Sequence, residues 1–155
     1  MTGSGTVVVY GPGKGEEFRV AADRFLRKGD SAHRSEAFSV IEYEGAAGFP
    51  GPPPHVHRSF EEAWFILEGK VAFTADSQTI SAERGTFLFV PRGVAHTFRV
   101  LGERRARWLG IFSPGRYVGL VEELGPLMPL NGPPNLAAVA RLFAKYDTEM
   151  VTERA

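Results

Sequence analysis

Eighteen glycines and eleven prolines cut this chain of 155 residues into short apolar runs. That punctuation leaves room for strands of four to eight residues and for few helices. The clearest strands are expected at Val7 to Tyr10, Ala37 to Tyr43, Glu62 to Leu67, Lys70 to Ala75, Thr79 to Ala82, Thr86 to Val90, His96 to Val100 and Arg107 to Phe112. Between them lie short connections rich in turn formers, Glu68-Gly69, Asp76-Ser77, Arg84-Gly85 and Pro91-Arg92-Gly93. Connections so short join antiparallel neighbours and cannot accommodate crossover helices, so an all-β sandwich or barrel follows.

The period changes near the C-terminus. Tyr117, Leu120, Val121 and Leu124 recur at helical spacing, as do Leu136, Val139, Ala140 and Phe143, which predicts two short amphipathic helices. The intervening Gly125-Pro-Leu-Met-Pro-Leu-Asn-Gly-Pro-Pro134 cannot be a regular helix and is expected to let the second helix fold back over an open side of the barrel.

Within this β framework His55 and His57 stand two residues apart, Glu62 follows, and His96 opens a later strand. Side chains two apart on a strand share a face, so both imidazoles of His55-Val56-His57 can reach one cavity. Neutral histidine is the commonest transition-metal ligand, and Glu62 adds an anionic oxygen. The expected cofactor is therefore one divalent transition metal. A donor set without sulfur suits Fe, Mn, Ni, Cu or Zn and does not choose among them. By alternation Trp64 and Ile66 share the face of Glu62, while Phe98 and Val100 share that of His96. These four residues are the expected substrate pocket, dry and aromatic-lined, suited to a small and largely apolar molecule.

Set side by side, these residues resemble the cupin superfamily, in particular small single-domain cupins similar to the quercetin-dioxygenase-like group. The first cupin motif is H-x-H, three or four residues, E, six residues, G; His55, His57, Glu62 and Gly69 match it. The second is G, five residues, P-x-G, two residues, H, three residues, N; Gly85, Pro91, Gly93 and His96 match it. Two positions depart. Phe49 stands where a glycine usually precedes the first histidine, with Gly48 and Gly51 on either side, and Val100 replaces the final asparagine. Neither position is a metal ligand in the family.

The resemblance implies a double-stranded β-helix, the jelly-roll barrel, with short C-terminal helices. A single domain is expected, with N-terminal strands and extension over 1–36, a barrel core with both motifs over 37–113, and a helical segment over 114–155. The spacing to Gly69 selects Glu62 over Glu61 as ligand and leaves Glu61 as a solvated charge at the strand's edge. On a redox metal, the resemblance implies a dioxygenase acting on a small oxygenated aromatic or enolisable compound, with Glu62 as the catalytic residue that accepts the substrate's proton. On zinc, a cyclase or isomerase, as in polyketide cyclases of this fold, is the alternative; a small-molecule binding module without turnover is a third.

Charge and composition limit the partners. Eighteen basic residues offset eighteen acidic ones, so neither nucleic acid nor an anionic membrane is an expected partner. Cysteine is absent, which rules out thiolate ligands and fits a cytoplasmic protein, and no membrane span or signal peptide is read. A homodimer is expected, paired through strand edges near Val7 to Tyr10. Gly11-Pro-Gly-Lys-Gly15 lacks the order of a phosphate loop. Arg104, Arg105 and Arg107 are read as a solvated cluster, and His33 as exposed.

Overall fold

A computed structural model describes residues 7–28 and 37–151. Among these residues eleven strands form two antiparallel sheets. They are β1 Glu16–Val20, β2 Asp23–Arg27, β3 Ser39–Gly45, β4 His55–His57, β5 Glu61–Glu68, β6 Lys70–Ala75, β7 Gln78–Glu83, β8 Phe87–Val90, β9 His96–Val100, β10 Ala106–Ser113 and β11 Thr148–Met150. One sheet has the order β1-β2-β3-β10-β5-β8, the other β11-β4-β9-β6-β7. From β3 onward the chain passes back and forth between the sheets, except at the β6-β7 hairpin, and the result is the expected jelly-roll barrel. No helix among the described residues is long and apolar enough to cross a membrane.

Alternation decides which residues fill the interior. In β10, Ala106, Trp108, Gly110 and Phe112 are the more buried set; in β9, His96, Phe98 and Val100 are, as the period of two requires. Two apolar clusters result. One gathers Trp64, Ile66, Val71, Phe73, Leu88, Val90, Phe98, Val100 and Trp108. The other gathers Phe25, Ile41, Phe60 and Phe112 with Tyr117, Val118, Leu120, Leu142 and Phe143. The last five belong to the C-terminal segment, where a short 3-10 turn at Gly115–Val118 leads into α1 (Gly119–Leu124), and α2 (Leu136–Lys145) follows the proline-rich link. Asn135 caps α2 by accepting from the backbone N–H of Ala138, and Leu142 and Phe143 face the barrel. The second helix folds back as expected, but of its predicted stripe only Val139 and Phe143 turn inward; Leu136 is 73% exposed, Ala140 is exposed, and Leu142 is buried in their stead.

The structure departs from the expected strands in three places. Val7 to Tyr10 forms no strand; Val7 and Val9 are 83% and 81% exposed, and without strand partners or burial their β-branched side chains do not suffice to make one. The hairpin of β1 and β2 replaces it. Its two-residue turn, Ala21-Ala22, puts Ala21 in the left-handed region at φ 50, with none of the glycine or asparagine that normally marks such a turn. Strand β11 was also unforeseen, being three residues long and defined only by its pairing with β4. His33 lies outside the described residues.

Candidate metal centre

Strand β4 is held on both sides. His55 pairs with His96 of β9, and Thr148, Glu149 and Met150 of β11 stand opposite His57, Val56 and His55. The approach to β4 depends on Gly51, whose φ of +76 carries the chain so close to β9 that a Cβ would overlap the Phe98 carbonyl. Gly51 therefore takes on the turn that Phe49 cannot, and the neighbouring backbone is tied to β9 by Val100 N–H donating to the Phe49 carbonyl at 2.9 Å.

This arrangement brings His55, His57 and His96 together. Their ring nitrogens lie within 4.8 Å of one another, and all three residues are buried. Glu62 enters from β5 in the opposite sheet, placing Oε2 3.3 Å from His96 Nε2 and 3.7 Å from His57 Nε2. Glu61 points outward and meets Arg92 at 3.5 Å, so of the two adjacent acids Glu62 is the one inside. The centre lies at the seam of the two clusters, with His57 stacked on Phe60 at 4.0 Å and His96 on Phe73 at 5.7 Å.

Each imidazole is oriented through its other nitrogen. His55 Nδ1 lies 2.9 Å from the Pro53 carbonyl and His96 Nδ1 3.0 Å from that of Val94. Because a carbonyl only accepts, both rings donate from Nδ1, which in the neutral imidazole leaves Nε2 with a lone pair for a ligand. His57 Nδ1 lies 2.9 Å from Thr148 Oγ.

Of the four buried side-chain atoms without a hydrogen-bond partner among the described residues, three are His57 Nε2, His96 Nε2 and Glu62 Oε2. The His96 to Glu62 approach is thus a charge contact and not a well-aligned hydrogen bond. Orphaned buried polar atoms cost about 1–3 kcal/mol each, and three converging on one point are what a cation would satisfy. Protonation also suits a cation. Burial drives His57 down to about 3, and burial followed by the neighbouring His96 lowers His55. Burial by itself would raise Glu62, but His96, His57 and His55 outweigh it and bring the carboxyl down to about 2. Burial opposes the charge on His96, yet Glu62 holds its pKa above the ordinary value, so a cation would take the place of that proton. The residues present fit a divalent metal held by His55, His57, His96 and Glu62.

Residues 41–112 match the family model described as the cupin domain. These residues form a cupin domain, which supports a small cupin-type protein. Over 111 residues the cupin is 32% identical to quercetin 2,3-dioxygenase of Bacillus subtilis, an alignment covering 66% of this chain and 32% of that protein. The cupin thus spans about a third of that enzyme's length. Among solved structures it is similar to an RmlC-like cupin from Shewanella frigidimarina, with a TM-score of 0.59, 19% identity, and coverage of 72% of this chain and 94% of that one. It is also similar to the polyketide cyclase RemF from Streptomyces resistomycificus, with a TM-score of 0.53, 23% identity, and coverage of 61% and 66%. At those identities the two structures speak for the fold.

Trp64, Ile66, Phe98 and Val100, the expected substrate pocket, lie together inside the cupin barrel and are all buried. Trp64 packs edge-on to Phe98 at 4.8 Å and stacks on Trp108 at 5.1 Å. A shallow outer groove lined by Gly69, Lys70, Arg84, Leu101 and Arg104 contains none of the four candidate ligands. Sequence reading missed Thr148. No motif marks it, and its position opposite His57 arises only when the C-terminus pairs with β4.

Proposed function

We propose that this cupin is a metal-dependent enzyme, and specifically a dioxygenase acting on a small oxygenated aromatic or enolisable compound. The observation that carries the reading is the convergence of His57 Nε2, His96 Nε2 and Glu62 Oε2, buried and without hydrogen-bond partners, beside His55. The 32% identity to a quercetin 2,3-dioxygenase supports the choice of reaction. Fold alone would not, since one barrel hosts many chemistries.

His55, His57, His96 and Glu62 would hold the ion, and a redox-active divalent metal would supply activation of the substrate's oxygen and of dioxygen at coordination positions left open. Glu62 contributes more than charge. Its Oε2 would accept the proton of an enol or phenol whose acidity a bound metal would raise. Phe60, Phe73 and Phe143 beside the imidazoles keep water from the centre and strengthen each electrostatic contact within it.

The test is dioxygen uptake by untagged protein reconstituted anaerobically with Fe(II), Mn(II), Ni(II), Cu(II) or Zn(II), against a panel of flavonols, catechols and enolisable ketones. Uptake with a redox metal, lost in Glu62→Gln, is the expected result. Product formed without dioxygen would replace the reading by a cyclase or isomerase, and binding without product by a binding module.

A further inference from the structure

His55 and His96 are oriented locally, each by a carbonyl two residues earlier in the chain. His57 is different. Its Nδ1 meets Thr148, 91 residues away, on a strand that the two cupin motifs do not include. Thr148 is only 4% exposed, and its hydroxyl donates to the Tyr146 carbonyl at 3.2 Å. With that proton committed, Oγ presents lone pairs to the ring. His57 must donate from Nδ1, which leaves Nε2 bare toward Glu62 and His96.

We propose that Thr148 is a positioning residue of the metal centre, fixing the tautomer and ring angle of His57, so that metal binding and docking of the C-terminal strand are coupled. The inference rests on reading His55, His57, Glu62 and His96 as a metal site. The strand's own attachments support it. Arg58 N–H donates to the Asp147 carbonyl and Val151 N–H to the Pro54 carbonyl, at 2.9 and 2.8 Å, bracketing β4. Ser59 Oγ donates to Asp147 Oδ2 at 2.7 Å, and Phe143 of α2 approaches His55 with ring centres 6.3 Å apart. A cation on His57 Nε2 orders the ring, an ordered ring favours the Thr148 contact, and the coupling is reciprocal.

The experiment compares wild type, the isosteric Thr148→Val and the conservative Thr148→Ser. Three readouts are taken: Zn(II) affinity by chelator competition, the His57 tautomer by long-range proton–nitrogen NMR on metal-free protein, and amide hydrogen exchange of residues 148–150 with and without Zn(II). Thr148→Val is expected to weaken Zn(II) binding by about 10- to 100-fold and to give His57 a mixed tautomer, while Thr148→Ser restores both. In wild type, Zn(II) is expected to slow exchange across 148–150. Unchanged affinity and tautomer in Thr148→Val overturn the proposal. If that variant does not fold, wild-type exchange in 148–150 that ignores Zn(II) overturns it instead. Should wild type take up no Zn(II), the metal reading fails separately, and the metal-free tautomer in Thr148→Val still decides whether Thr148 positions His57.

Discussion

Burial keeps His57 neutral down to about pH 3, whereas in an unfolded chain its imidazole protonates near pH 6.5. A folded-state pKa below the unfolded one contributes stability that is complete above pH 6.5 and is lost as pH falls toward 3. His55 shifts in the same direction, and His96, held upward by Glu62, shifts in the opposite one. Metal-free protein should therefore melt at a lower temperature at pH 4.5 than at pH 7.5, and His57→Gln should flatten that dependence; a melting temperature constant across the interval would contradict it. His96 yields the complementary expectation. Its proton must leave before Nε2 can bind a cation, so metal affinity measured by calorimetry should rise from pH 6 to pH 8 with proton release. His57→Ala or His96→Ala should abolish metal uptake by elemental mass spectrometry while leaving the far-ultraviolet dichroism near that of wild type. Full occupancy in His96→Ala would remove it from the ligand set.

Elements matter here through what holds β4. A strand of three residues has too few ladder bonds to persist unaided, and its position follows from β9, β11 and the turn at Gly51. Gly51→Ala would force an L-residue into the left-handed region, at about 1–2 kcal/mol for the backbone alone, and would press a methyl group against the Phe98 carbonyl. Denaturant unfolding should show a loss above that range, with lowered metal stoichiometry; an unchanged midpoint would mean that the approach to β9 is not tight. Helix α2 works from the other side. Phe143 is buried among Phe60, Tyr117 and Leu142, so Phe143→Ala should cost about 3–5 kcal/mol, read from the same unfolding curves. The sequence showed this helix because its apolar stripe has a period. It did not show β1, β2 or β11, since an Ala-Ala turn and a three-residue strand carry no periodic or turn-residue mark.

Across the whole molecule the two sheets present unlike outer surfaces. The β6-β7-β9 face carries Thr74, Thr79, Ser81, Thr97 and Arg99. On the other sheet Val40, Ile111, Ala63 and Phe89 form one cross-strand row, and Leu109, Phe65 and Phe87 the next. Phe65, Phe87 and Phe89 are 40%, 60% and 57% exposed, roughly 100 Å² of apolar surface each. Together with their aliphatic neighbours they supply a large share of the ~800 Å² per partner that a stable pair buries. We propose that the expected homodimer pairs through this face, since it offers more contiguous apolar surface than Val7 to Tyr10. Light scattering at micromolar concentration should give twice the 17.0 kDa chain mass, and Phe87→Glu should return the monomer value; a wild-type mass of one chain would remove the dimer.

Sequence alone determined the strand-rich architecture, the shared face of His55 and His57, and which residues of β5 and β9 point inward, because each follows from a period of two or from a turn residue at a fixed place. It also singled out Glu62 beside Glu61, through the spacing to Gly69. Only the tertiary structure decided that Glu62, from one sheet, meets His57 and His96 of the other, and that the C-terminal strand supplies Thr148 to His57. Those contacts join residues far apart in the chain, and local preference carries no information about them; they exist because burying both apolar clusters closes the two sheets face to face.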